Sequence, residues 1–97
     1  MPRRPPADAA IQISKDVVFR DLEGEMVLLN LATGVYFGLD PVGTRIWELL
    51  ASGRSRDEIV GALTAEYDVD AETCRADLAR FLETLRDNEL VQPDDGR

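Results

Sequence analysis

The chain has 97 residues, 44% of them apolar, with 11 basic and 19 acidic side chains, no histidine and one cysteine. A net charge of −8 argues against binding to a phosphate backbone, which needs clustered Lys and Arg. The lone Cys74 excludes an internal disulfide, and without histidine no zinc ligand set is left, so no metal is expected. No apolar run approaches the ~20 residues of a membrane-spanning helix. The Met-Pro-Arg-Arg-Pro-Pro start has no apolar core behind it, so it is not a signal peptide. A soluble cytoplasmic protein, not bound to a membrane, is expected.

The length suits one small domain. Residues 1–14 are expected as a flexible N-terminal tail, with three prolines before residue 10 and an extended lead-in from Ile11 to Ser14. The domain proper is expected over 15–92, followed by a polar tail at 93–97. The charge is uneven. Residues 1–20 carry a net +2, whereas residues 21–97 hold 7 basic and 17 acidic groups, a net −10.

Val17 to Leu22 reads as a strand with Val17 and Phe19 on one face and Val18 and Arg20 on the other. Glu23-Gly24 supplies a tight turn, and Glu25 to Leu31 a second strand. A longer loop closes on Gly34, and Val35 to Leu39 is a third strand. Three strands on short connections predict an antiparallel meander. The second and third strands are apolar on both faces, although a sheet packed on helices needs only one such face. Either further chain covers the second face or it is kept for a partner.

Asp40 and Pro41 then mark a helix start, Asp as N-cap and Pro at the first helical position. Val42, Ile46, Leu49 and Leu50 form its stripe with Trp47 beside them, and Ser52-Gly53 ends it. Ser55 with Glu58 is a capping box opening a second helix to about Tyr67, with Ile59, Val60, Leu63 and Tyr67 inward. Asp70 caps a third helix, about Ala71 to Asn88. Its apolar residues Cys74, Leu78, Phe81, Leu82 and Leu85 lie on one stripe. Leu90 and Val91 are expected to pack back on the core. The order predicts an α+β, winged helix-turn-helix-like domain: a three-stranded antiparallel sheet followed by three helices.

No catalytic group emerges. Without histidine there is no His-activated nucleophile. The carboxylate pairs Asp57-Glu58 and Glu66/Asp68 read as helix-end charges. Gly34-x-x-x-Gly38 lacks the Lys-Ser/Thr of a phosphate loop. Cys74 reads as a small core residue, with a reactive thiol as the alternative. The third helix would be the DNA reader of a winged helix, but it carries three Arg against Glu72, Asp77, Glu83 and Asp87. A net −1 helix on an acidic domain does not suit nucleic acid.

Residues 17–92, roughly four fifths of the chain, resemble the PqqD-like family, also called the precursor-peptide recognition element of ribosomally made, modified peptides. The likeness is carried by Glu25-Met-Val-Leu-Leu-Asn-Leu31, Gly34-x-Tyr36-x-x-Leu39-Asp40, Gly43, Ile46-Trp47, Leu49-Leu50 and Gly53. It continues through Ser55-x-x-Glu58-Ile59, Leu63, Tyr67, Phe81-Leu82-x-x-Leu85 and Leu90-Val91. The Tyr and Trp pattern is most similar to the discrete recognition proteins of lasso-peptide pathways. The resemblance implies a binding module that is not an enzyme and uses no cofactor. Its partners would be the leader segment of a precursor peptide and a downstream protease or modifying enzyme.

In such proteins the leader adds as a strand to the third strand and lies against the third helix. Carried over by position, the strand edge is Val35, Tyr36, Phe37, Gly38 and Leu39. The helix wall is Cys74, Arg75, Asp77, Leu78, Phe81 and Leu82. An apolar edge strand without Lys or internal Pro suits strand addition, where main-chain hydrogen bonds give affinity and side-chain pockets give specificity. A homodimerisation or adaptor domain using the same edge is the competing expectation, and a winged-helix DNA-binding regulator a weaker one.

Overall fold

The computed structural model describes residues 11–92; the expected tails at 1–10 and 93–97 lie outside the described residues. Three strands come first: β1 (Val17–Leu22), β2 (Glu25–Asn30) and β3 (Val35–Gly38). Three helices follow: α1 (Pro41–Ala51), α2 (Arg56–Glu66) and α3 (Ala71–Asp87). The sheet is an antiparallel meander in the order β1-β2-β3. The expected α+β architecture, three antiparallel strands followed by three helices, is what forms.

Local chemistry sets each boundary. The β1–β2 turn places both Glu23 (φ 57°) and Gly24 (φ 89°) in the left-handed region, as a two-residue hairpin turn requires. β2 stops at Asn30, one residue before the expected end, because Leu31 leaves the ladder to β3. The Asp40 carboxylate accepts the Gly43 N–H at 2.7 Å and opens α1 on Pro41. Ser55 and Glu58 close the capping box of α2 in both directions, at 3.2 and 2.9 Å. Asp70 accepts the Thr73 N–H at 3.1 Å and opens α3. α3 ends on Glu89 in the left-handed region (φ 59°), and the Leu90 N–H returns to the Leu85 carbonyl at 2.8 Å. This 6→1 closure satisfies late helix carbonyls and turns Leu90 into the core.

Alternation divides the sheet cleanly. Met26, Leu28 and Asn30 of β2 point to the helices and are buried, while Val27 and Leu29 point outward. The core between sheet and helices takes Leu28, Trp47, Ile59, Leu82, Leu85 and Leu90, all at 1% exposure or less. Each fully buried aliphatic side chain contributes about 2 kcal/mol of transfer free energy. Phe19 meets Trp47 edge-to-face with ring centroids 5.5 Å apart. α1 packs on β2 and on α2, and α3 packs on α2. Arg45 of α1 bonds Glu66 at the end of α2 at 2.8 Å and Glu48 at 3.3 Å, and Glu66 chiefly holds its guanidinium pKa above the ordinary value.

Two expectations change. Residues 11–14 are not a free tail: Ile13 bridges Val91, the Ser14 N–H reaches the Leu90 carbonyl at 3.1 Å, and the Gln92 N–H reaches Gln12 at 2.8 Å. The buried Leu90 and Val91 need a covering strand, and Ile11 and Ile13 supply it. Val42 is not part of the α1 core stripe. It is 43% exposed, because the stripe runs past the end of the core at the first turn of the helix.

Candidate functional site

β3 is a sheet edge, and its hydrogen-bonding parity identifies the open groups. The Leu39 N–H donates to the Met26 carbonyl at 2.9 Å, and the register places Leu28 opposite Phe37 and Asn30 opposite Val35. In an antiparallel ladder, alternate residues turn both main-chain groups to the same neighbour. Leu39, Phe37 and Val35 therefore face β2. The N–H and C=O of Tyr36 and Gly38 face outward, offering an incoming strand four main-chain partners.

Beside this edge lies an apolar groove of about 470 Å³. β3 and the following residues contribute Phe37, Gly38, Leu39 and Asp40. α1 contributes Val42, Gly43 and Ile46. The end of α2 and the turn after it contribute Leu63, Tyr67 and Val69, and α3 contributes Cys74, Asp77, Leu78 and Phe81. Gly43 sits where these elements meet closely. A Cβ there would stand 3.2 Å from the Asp40 carboxylate, tighter than most side chains pack, and 3.4 Å from the Phe81 ring, in van der Waals contact.

Asp40 and Asp77 are the charged residues of the lining, and both are carboxylates. Asp40 is committed to the α1 cap, and Asp77 is paired with Arg80 on the surface of α3. Cys74 is buried in the α3 wall, and burial foremost pushes its thiol pKa up, assisted by Asp77, so the thiol stays protonated at neutral pH. That is the behaviour of a packing residue rather than a nucleophile.

The structure separates the residues that the sequence grouped. Phe37, Gly38, Leu39, Cys74, Asp77, Leu78 and Phe81 meet in the groove. Arg75 turns away and pairs with Asp57 of α2 at 2.8 Å, because it follows Cys74 by 100° around the helix. Leu82 is 1% exposed within the core and does not line the groove. Tyr36 is 70% exposed on the outer face of the sheet, opposite Leu29, and Val35 is exposed at the start of the strand. Sequence reasoning missed Asp40, Val42, Gly43, Ile46, Leu63, Tyr67 and Val69 as groove residues. Val42 and Tyr67 stood on apolar helix stripes that gave no sign of a groove, and Ile46 and Leu63 are buried in the core as well, so periodicity did not set them apart.

The second apolar face of the sheet stays exposed. Val18, Leu22 and Tyr36 stand in solvent beside the half-buried Val27 and Leu29, around a shallow hollow of about 350 Å³. Among the described residues, no helix is long and apolar enough to cross a membrane.

Two solved structures are similar to this chain in overall fold. A chain described as TbiB1 in complex with the TbiA(beta) leader peptide superposes with a TM-score of 0.83 at 51% identity, over 84% of this chain and 94% of that one. A second, described as lasso peptide synthetase B1 complexed with the leader peptide, gives a TM-score of 0.81 at 25% identity, over 87% of this chain and 99% of that one. No curated protein sequence matches significantly. Residues 25–91, which run from β2 through α3 and take in the groove, match the family described as coenzyme PQQ synthesis protein D, and the chain belongs to the PqqD family.

Proposed function

We propose that this chain is a non-catalytic binding protein that captures the leader segment of a ribosomally made precursor peptide, of the lasso-peptide type. The observation that carries this reading is the open main chain of Tyr36 and Gly38 running beside an apolar groove walled by α3. An extended peptide pairing with β3 places alternate side chains into that groove and the others over the outer sheet face. Phe37, Leu39, Leu78 and Phe81 would take an apolar side chain, while the two carboxylates at the lining disfavour an acidic one. The described relatives are leader-peptide complexes, which supports the same occupant.

The held peptide is then presented to a protease or modifying enzyme, for which the exposed outer face, widened by the added strand, is the surface at hand. The work is assigned to the cytoplasm, where precursor peptides are made. Nucleic acid is disfavoured as the ligand by the acidic surplus on α3.

Isothermal titration with the leader of the precursor encoded beside this chain tests the proposal. Binding near micromolar strength, about 8 kcal/mol, is expected. A folded protein that gives no heat with that leader at high concentration overturns it. Self-association through the same edge would appear as a concentration-dependent mass that the leader reverses.

A further inference from the structure

Asn30 is the polar side chain on which both walls of the groove converge. It is 1% exposed, and both ends of its amide are engaged. Oδ1 accepts the N–H groups of Ala32 at 2.9 Å and Thr33 at 3.3 Å, shaping the turn that delivers the chain into β3. Nδ2 donates to the carbonyls of Glu89 at 2.9 Å and Asn88 at 3.4 Å, the residues that end α3. Its main chain stands opposite Val35, the first residue of β3. One amide therefore ties the root of the strand wall to the root of the helix wall. Beyond this point the walls part: β3 stays with β2, α3 leans on α2, and the groove lies between them.

We propose that Asn30 is a positioning residue for peptide capture, setting the angle between β3 and α3 and hence the width of the groove. The inference rests on the peptide-binding reading above. Leverage gives it force. Cys74 lies about 21 Å along the helix from Asn88, so a tilt of about 5° at the root moves the wall there by about 2 Å. That is comparable to the radius of a methyl group, enough to admit or refuse a side chain. The position needs an acceptor and a donor on one short planar group, which Asn supplies. Asp keeps the acceptor but sets a carboxylate against two carbonyls, and Ser keeps a turn acceptor without reaching both partners.

The test uses the full chain and its leader peptide. Asn30→Asp and the milder Asn30→Ser are compared with wild type by calorimetry and by amide NMR shifts of the leader-free protein. Val60→Ala, a destabilising change at a buried residue of α2 that does not line the groove, is the stability control. Folded Asn30 variants are expected to bind at least tenfold more weakly. Their leader-free shift changes should extend to Cys74, Leu78 and Phe81, whereas Val60→Ala keeps wild-type affinity. Wild-type affinity in a folded Asn30 variant, or shift changes confined to residues 30–35 and 86–91, overturns the proposal. If wild type itself does not bind the leader, the peptide-binding reading fails, while the leader-free shifts still decide whether Asn30 sets the groove.

Discussion

Thr44 and Met26, eighteen positions apart, share a buried hydrogen bond in which the Met26 N–H donates to Thr44 Oγ1 at 2.8 Å. The Thr44 hydroxyl in turn donates to the Leu39 carbonyl at 3.4 Å. It thus stands in for a ladder bond at the end of the β2–β3 pair and ties the first turn of α1 to the edge strand. Thr44→Val preserves shape but leaves the Met26 N–H buried without a partner. A loss of about 1–3 kcal/mol is expected in urea denaturation. Thr44→Ser, which keeps the hydroxyl, should recover most of it.

Phe37 and Tyr36 are neighbours with different duties, since Phe37 lines the groove and Tyr36 stands on the outer face. Phe37→Asp puts a charge into an apolar, partly desolvated site, which costs at least about 2 kcal/mol and should weaken leader binding by more than about 30-fold. Tyr36→Asp leaves the outward main-chain groups of residue 36 in place. Its effect on leader affinity in a binary titration should be several-fold at most. Equal losses for both would show that the peptide reads the outer face as strongly as the groove.

Gly38 separates the needs of the fold from those of the ligand. A Cβ built there meets nothing within 4 Å, and its backbone is not in the left-handed region. Gly38→Val should therefore leave the melting temperature unchanged or slightly raised, since β-branched residues suit strands. The branched side chain narrows the approach to the edge, so leader affinity should fall by about tenfold or more. A variant that binds as well as wild type would remove Gly38 from the contact surface.

Acid should loosen the helices at their ends. Backbone hydrogen bonding at Thr73 holds the Asp70 carboxyl below its ordinary 3.8, and the hydrogen bond from Arg45 holds Glu66 below its ordinary 4.5. A group with a depressed folded pKa adds stability that is fully present above its unfolded pKa and is lost as pH falls through the folded one. Thermal melts should therefore be flat in these contributions from pH 7 to about pH 5 and decline below the two ordinary values. Asp70→Asn keeps a cap acceptor that does not titrate. Its melting curve should fall less steeply with acid than that of wild type, and an identical slope would exclude Asp70 as a contributor.

Most of the fold is legible in the sequence because its signals are local. Asp40-Pro41, the Ser55/Glu58 box and Asp70 each mark a helix start with the atoms that bond it, and α1 spans the residues expected. The alternation read in β1 puts Val17 on the face that packs on the helices, whereas β2 is apolar on both faces and only the fold shows that Met26 and Leu28 turn inward. The site is only half legible. Groove and core draw on the same apolar stripe of α3, so periodicity shows that Leu78, Phe81 and Leu82 share a face without saying which side of a wall each takes. In the fold Leu82 goes to the core and Phe81 to the groove, a difference of 100° on the helix resolved by where α1 and α2 stand.

The sequence by itself determined the elements, their order, the absence of a His-based catalytic apparatus and the apolar character of the third strand. These follow from side-chain chemistry within a few residues. The tertiary structure decided which main-chain groups of that strand are open, that Arg75 turns away to Asp57, and that Val42 and Tyr67 line a groove instead of a core. It also decided that a single buried amide at Asn30 joins the two walls. These depend on the packing of segments up to 59 residues apart, where direction in space rather than residue type sets the role.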